Sequence, residues 1–378
     1  MKIAIDLTSL SDNFSGLERC ALEITRALVD ETPDADFVFV IKNEIPPMLK
    51  SFRENGRVRF CRIRGKNKLV ANQITLPLTM SRIGADAYVF PAFPVPLLFS
   101  QKNTYGMIAD LGCYDCPETM KKKQVLFFRE GAKHTAKVSR KVLTISEFSA
   151  GRICELLKQS RERILLLYMG TKKPEPEMIS KRKVEEVRDR YKLPERYLLS
   201  LSTVEPRKNL KLLIDAYLTL VEKGCELPGL VLAGRQGWLM EEEVKRAVDS
   251  GRIVFTGFID EEDLPAVYAG AETFVFPSLY EGFGMPPLEA QACGVKRVVA
   301  SDAPALKEVL GETALFFRNN VRADLERALR EALKWDGVDA SSIADNLARF
   351  SWSASGRKLG KTIKKDLALS GDGRGAAE

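Results

Sequence analysis

Strands alternating with helices in two successive blocks predict an α/β protein of two doubly wound, Rossmann-like domains facing each other across a cleft. Three observations carry that expectation. Apolar runs of strand length recur through the chain, among them KIAIDL at 2–7, FVFVI at 37–41, YLLSL at 197–201 and TFVFP at 273–277. Between them lie segments such as ALEITRALVD, whose apolar residues return at helical spacing. A polar, proline-containing segment from Thr171 to Ser180 separates the blocks and reads as a domain boundary.

The first block opens with the strand at 2–7, a loop containing Gly16 and then a helix; the loop lacks the GxGxxG spacing of a dinucleotide site. Further strand candidates lie at 58–61, 87–90 and 104–108, followed by a helix across about 118–138. Val142 to Ile145 is the next strand, and Ser146, placed before the helical pattern ARICELL, is an N-cap signal. ILLLY at 164–168 closes the block. In the second block a helix over about 182–191 precedes YLLSL, and another starts at about 208. LVLAG (230–234), IVFTG (253–257), a helix from about 261, TFVFP and RVVAS (297–301) follow. The remainder reads as helical, with a last basic helix crossing back to the first domain. The expected domains are therefore 1–172 and 173–352, with a returning helix over 353–370 and a disordered tail at 371–378.

Composition narrows the function classes. The chain has 378 residues, 45% of them hydrophobic, which is ordinary for soluble globular domains. It has no apolar run of the roughly 18 residues a membrane span needs, and Asp6 interrupts the apolar start, so a cytoplasmic protein is expected. Seven scattered cysteines speak for a reducing compartment. Cys113 and Cys116 have redox or half-zinc spacing, but without a second pair they read as plain thiols. Residues 1–170 carry 26 Lys and Arg against 18 Asp and Glu, whereas residues 171–378 carry 32 against 33. The basic clusters from Arg57 to Lys68 and Lys121 to Lys123 suit an anionic membrane surface, which would place the protein peripherally on the inner membrane face; a solvated face is the alternative. No nucleic-acid-binding signature accompanies them, so nucleic acid is not an expected partner.

In open parallel sheets ligands sit beyond the carboxyl ends of the strands, which directs attention to the loops following strands. The stretch YEGFGMPPLEAQACG, Tyr280 to Gly294, reads as a strand end breaking into a glycine loop that opens a helix. Gly282 and Gly284 permit close backbone approach, Pro286 and Pro287 suit a first helical turn, and Gly294 fits a C-terminal cap. Glu281 and Glu289 place two carboxylates beside the free amides of that turn, and the two oxygens of Glu289 can take both hydroxyls of a vicinal diol. In STVEPRKN, Arg207 and Lys208 stand at a predicted helix start, where cations oppose the macrodipole; a diphosphate would account for them. Asp34-Ala35-Asp36 is the sole DxD and lies at the amino end of a strand, away from a ligand face, so no metal site is expected.

The motifs PSLYEGFGMPPLEAQACGV, STVEPRKNL, LVLAGRQGW, FTGFI and TISEFS resemble those of the family 4 retaining glycosyltransferases of GT-B fold, a likeness covering nearly the whole chain and extending to group 1, mannosyltransferase-like members. The resemblance implies that Glu289 holds the donor ribose and that Glu281 lies at the donor sugar. It also implies that Gly282, Phe283, Gly284, Met285 and Pro286 line the donor, that Arg207 and Lys208 with Thr203 bind the diphosphate, and that Gly16 closes on it. With the acceptor expected on 1–172 and the donor on 173–352, the resemblance makes Arg207, Lys208, Glu281 and Asp110 the catalytic candidates and the loop residues Ser146 and Glu147 the acceptor-side candidates. Two positions depart from the family pattern: Ala109 stands where a His is usual before Asp110, and Ser202 where a Gly is usual before Thr203. The only histidine, His134, reads as a surface residue of a lysine-rich helix.

The expected activity is transfer, with retention, of a hexose-type sugar from a nucleotide-diphospho-sugar to a glycan or polyprenyl-linked saccharide. The nucleotide sugar is a co-substrate, and no cofactor or metal is expected. The alternatives are a GT-B sugar-nucleotide epimerase or phosphorylase, and a non-catalytic sugar-nucleotide-binding subunit.

Overall fold

The computed structural model describes residues 1–10, 16–65, 70–235 and 249–371. Two compact units emerge: Met1–Gly170 joined by the segment from Ser351 onward, and Thr171–Phe350. The divisions expected from the sequence were 172/173 and 352/353.

The first unit runs β1 (Lys2–Asp6), α1 (Gly16–Glu31), β2 (Asp36–Lys42), β3 (Val58–Ile63), α2 (Leu76–Ile83), β4 (Ala87–Phe90) and β5 (Thr104–Met107). It continues with α3 (Gly112–Asp115), α4 (Lys122–Val138), β6 (Lys141–Thr144), α5 (Glu147–Leu157) and β7 (Ile164–Leu166). Its seven strands form one parallel sheet in the order β3-β2-β1-β4-β5-β6-β7. Because helices cover both faces, β1, β4 and β5 are buried along almost their whole length rather than on alternate residues.

The second unit runs α6 (Lys181–Tyr191), β8 (Tyr197–Leu201), α7 (Leu210–Glu222), β9 (Gly229–Ala233), β10 (Ile253–Gly257), α8 (Leu264–Ala269) and β11 (Thr273–Phe276). It is completed by α9 (Met285–Ala292), β12 (Val298–Ser301), α10 (Pro304–Leu310), β13 (Leu315–Phe317), α11 (Arg322–Lys334) and α12 (Ala340–Ala348). Its parallel sheet has the order β10-β9-β8-β11-β12-β13. The order reverses between β8 and β11, which pair directly through Thr273 with Leu198 and Phe274 with Leu199. That reversal is the switch point at which ligand crevices form in such sheets.

The last helix, α13 (Trp352–Gly371), belongs to the first unit. It lies so close to α1 that a Cβ on Gly356 would fall 2.4 Å from the carbonyl carbon of Ala27. The fully buried Tyr105 on β5 donates its hydroxyl to Asp366 at 2.9 Å, Lys358 donates to the Leu166 carbonyl and Arg357 pairs with Glu31.

Several expectations are corrected. The helix expected from about 118 starts at Lys122, because Pro117–Thr119 forms a separate 3-10 turn and Gln124 Oε1 accepts from the Lys121 N–H. The helix expected from about 261 starts at Leu264. The segments Pro47–Glu54, Ala71–Ile83 and Gly112–Asp115 are helical or 3-10 and β13 is an edge strand, none of which was read from the sequence. Arg57 does not face an anionic surface: its guanidinium is turned inward onto the carbonyls of Val29, Thr32 and Ala35. His134 is half-buried, with Nε2 hydrogen-bonded to the Phe99 carbonyl oxygen at 2.9 Å, rather than a surface group. Lys66, Lys68, part of the loop before Gly16, most of the segment after Gly234 and the tail beyond Gly371 lie outside the described residues.

Candidate donor site

The strand pairing of β8 with β11 explains why two loops more than seventy residues apart meet. Beyond β8, Pro206 holds Glu205 in an extended conformation (φ −142°, ψ 155°) and opens the 3-10 turn Pro206–Lys208. Asn209 then takes a left-handed φ of 53°, and α7 begins only at Leu210. Arg207 and Lys208 therefore stand in the turn before the helix, not at its first residues. Their setting there is decided by the neighbouring loop: the Leu279 N–H donates to the Arg207 carbonyl at 2.9 Å.

The side chains interlock as the backbones do. Lys208 Nζ donates to Glu281 Oε1 at 2.6 Å and lies 5.2 Å from the centre of the Phe276 ring. Arg207 Nη1 donates to Glu281 Oε2 at 3.3 Å and to the Tyr280 carbonyl at 3.1 Å, while Nε and Nη2 both point to Glu205 Oε1. Burial alone would push the Glu281 carboxyl up, but Lys208 and Arg207 outweigh it and hold it below the ordinary glutamate range. Both cations are thus paired with the protein's own carboxylates.

The glycine loop is anchored from below. Ser301 donates to the Ser278 carbonyl at 2.6 Å, and Asn319 Nδ2 donates to the Leu279 carbonyl at 2.7 Å. Gly284 takes φ 119° immediately before α9, and a Cβ there would strike Leu306 Cδ2 at 2.5 Å. Met285 and Pro286 open α9, and both are half-buried. Phe283 is buried edge-on against Phe350, with ring centroids 5.4 Å apart, so its backbone rather than its ring is the part able to meet a ligand. Gly294 takes φ 97° and ends α9, its N–H on the Gln291 carbonyl and that of Val295 on the Ala290 carbonyl. Glu289, in the second turn of α9, accepts from the Tyr268 hydroxyl at 3.1 Å and stays half-buried. Thr203 is exposed beyond β8.

The geometry gathers Thr203, Arg207, Lys208, Glu281, Gly282, Phe283, Gly284, Met285, Pro286 and Glu289 on one unit, around the switch point of its sheet. Glu205, Tyr280 and Tyr268 contact these candidates and were not picked out from the sequence. The Glu205-Pro206-Arg207 string held a signal, since a residue before proline is extended and can turn its side chain back on the next cation.

The remaining candidates belong to the first unit, each beyond the carboxyl end of a strand. Gly16 starts α1, and a Cβ there would meet nothing within 4 Å. Asp110 accepts from the Gly112 N–H at 2.9 Å. Ser146 is fully buried, its Oγ accepting from the Ser149 N–H at 3.0 Å, while Glu147 is exposed and paired with Arg161. Among the described residues no group of three or more His, Cys, Asp and Glu side chains is placed to hold a metal. The seven cysteines are free thiols, and burial pushes Cys113 up to about 12, the opposite of an activated redox thiol.

Residues 181–346, which contain this whole cluster, match the family described as Glycosyl transferases group 1. Through these residues the chain is similar to that family. That match is accompanied by wider similarity. The chain is 34% identical over 253 residues to the O-antigen chain mannosyltransferase B of Escherichia coli, covering 64% of this chain and 65% of that protein. It is 33% identical over 222 residues to the serotype-specific mannosyltransferase WbdA of Escherichia coli, covering 56% of this chain and 27% of WbdA. The matches thus span just under two thirds of the first relative and about a quarter of the second.

The fold is similar to that of Anabaena HepE solved with UDP and glucose, with TM-score 0.73 and 17% identity over 96% of this chain and 99% of HepE. WaaG, a glycosyltransferase involved in lipopolysaccharide biosynthesis, is similar with TM-score 0.63 and 16% identity over 97% of this chain and 99% of WaaG. The chain accordingly shares the GT-B class of fold, two parallel α/β units, that the sequence led us to expect.

Proposed function

We propose that this protein is a retaining glycosyltransferase that moves a hexose-type sugar from a nucleotide-diphospho-sugar to a glycan or lipid-linked saccharide. The observation that carries the reading is the Arg207–Lys208–Glu281 cluster at the switch point of the group 1 domain, with Glu289 on the helix that the glycine loop opens. Arg207 and Lys208 supply the fork and the point charge that a leaving diphosphate needs, and the amides around Gly284 and Met285 add dipoles. Glu289 offers two acceptor oxygens to the ribose diol. In the proposed step the bond from the anomeric carbon to the diphosphate breaks, and the acceptor oxygen bonds on the same face. The acceptor proton passes to the departing phosphate oxygen. Arg207 and Lys208 carry the charge in this scheme, so a divalent ion is not required; Asp110 remains a catalytic candidate, Ser146 and Glu147 remain candidates for the acceptor side, and Gly16 for closure.

The relatives named as O-antigen mannosyltransferases favour a mannosyl donor. The testing experiment is a panel of UDP-, GDP- and dTDP-sugars, read first by thermal stabilisation and then by sugar transfer with and without a chelator. Stabilisation by one nucleotide class with chelator-resistant transfer supports the reading. Binding without turnover would favour a sugar-nucleotide-binding subunit, and loss of activity restored by magnesium would contradict the metal-free scheme.

A membrane surface as partner is supported by an apolar face on the first unit. No helix among the described residues is long and apolar enough to cross a membrane. Ile74 just before α2, Leu78 on α2, Leu97 and Leu98 in the loop after β4, and Leu126 and Phe127 on α4 are nevertheless exposed. Gln73 accepts from the Leu97 N–H and Thr135 from the Val95 N–H, which ties the three segments together. Lys121, Lys122 and Lys123 are exposed at its border, the arrangement an anionic bilayer attracts. Flotation with phosphatidylglycerol vesicles tests this: Leu98→Glu with Phe127→Glu is expected to abolish binding, and equal binding by that variant would overturn it.

A further inference from the structure

We propose that Glu205 is a positioning residue that competes with the leaving diphosphate for Arg207 and so sets how readily the spent nucleoside diphosphate departs. The proposal rests on the donor-site reading above and concerns a group that reading does not use. Glu205 is buried, with its side chain only 12% exposed, and its extended backbone before Pro206 turns the carboxylate back on Arg207. Its Oε1 takes both Arg207 Nη2 at 3.0 Å and Arg207 Nε at 3.2 Å. That is the edge of the guanidinium with which arginine forks an oxyanion. A phosphate oxygen reaching Arg207 from that side must share or displace Glu205.

The charge balance points the same way. Within one hydrogen-bonded group stand two cations, Arg207 and Lys208, and two carboxylates, Glu205 and Glu281. The carboxylates are not equivalent. Glu281 serves both cations, so its loss would leave Lys208 without that partner, whereas the Glu205 side chain is given over to Arg207. An arriving diphosphate therefore meets a site whose four charged side chains sum to zero, and Glu205 remains a like charge beside the oxygens it must accommodate. A site of two cations and Glu281 alone would hold the product harder. Product release is a common limit on turnover, and a fixed neighbouring anion is a direct way to relieve it.

Glu205→Gln keeps the length and an oxygen that can accept from Arg207 but removes the charge. Its expected signature is tighter binding of the nucleoside diphosphate, about tenfold by titration calorimetry, with donor KM and kcat both lowered as release slows. Glu205→Asp keeps the charge and is expected to keep the wild-type affinity. Glu205→Ala loses the orientation of Arg207 as well and is expected to fall below Glu205→Gln in kcat/KM. Affinity in Glu205→Gln that is unchanged or weaker overturns the proposal while leaving the donor site standing. Wild-type protein that binds none of UDP, GDP and dTDP removes the donor-site reading and this proposal with it. Should Glu205→Gln fail to fold, the same diphosphate titration of Glu205→Asn against Glu205→Asp decides, since loss of the charge without tighter binding also overturns it.

Discussion

Lys208 Nζ lies 2.6 Å from Glu281 Oε1, an ion pair formed between loops that are distant in sequence and adjacent only because β8 and β11 are neighbours in one sheet. Both side chains are about nine-tenths buried. Removing one partner would leave the other charge desolvated, and Lys208→Met or Glu281→Ala is expected to cost about 3–5 kcal/mol in chemical denaturation. A smaller loss in both would show that the surrounding groups or water replace the missing partner.

The same pair gives stability a pH dependence. Glu281 is held below the usual glutamate range in the folded protein, so the unfolded chain takes up its proton first. The stabilisation is present above the ordinary glutamate pKa of about 4.3 and is lost as pH falls through the lower folded value. The thermal midpoint is expected to drop on acidification through that window, and Glu281→Gln to show a shallower drop. Parallel curves for the two proteins would remove Glu281 as the cause.

For Arg207, the expectation separates catalysis from folding. Arg207→Ala should lower kcat/KM for sugar transfer by about 10²–10³, the usual effect of removing a preorganised stabiliser of developing charge. Circular dichroism should remain that of the wild type, because the half-buried Arg207 is not part of the apolar core. Unchanged turnover would remove Arg207 from the donor site.

Thiol chemistry offers an independent check of the buried sites. Burial pushes Cys20, Cys113 and Cys293 up to about 12, whereas Cys154 and Cys225 are half-buried. Alkylation of the native protein near pH 8, followed by peptide mass spectrometry, is expected to label Cys154 and Cys225 before Cys20, Cys113 and Cys293. Early labelling of Cys113 would contradict its burial in the first unit.

Much of this was legible in the chain itself. Parallel strands covered on both faces are almost continuously apolar, so KIAID, YLLSL and TFVF announce themselves, and the glycine and prolines of EGFGMPP mark a loop that turns into a helix. The helix at Ala71–Ile83 was missed because Ile74 and Leu78 face outward and blur the periodic stripe. The start of α7 was misplaced because nothing local distinguishes a 3-10 turn at Pro206–Lys208 from the first turn of a helix; the left-handed Asn209 makes the difference. The partners of Arg207 were hidden for a deeper reason. Residue types at 205, 207 and 281 suggest charge complementarity, but which charges meet depends on strand order, and strand order is a long-range property.

The return of α13 to the first unit carries a consequence for how the protein is made. Residues 171–350 form an uninterrupted stretch and can collapse as soon as they leave the ribosome. The first unit cannot finish then: partners of Tyr105, Leu166 and Glu31 lie on α13, which is synthesised after the whole of the second unit. Nascent residues 1–170 must wait through the synthesis of the other unit with the α1 face that receives Gly356 still uncovered. Chains truncated before Trp352 should consequently be bound by chaperones that recognise exposed apolar surface, and full-length chains released from them.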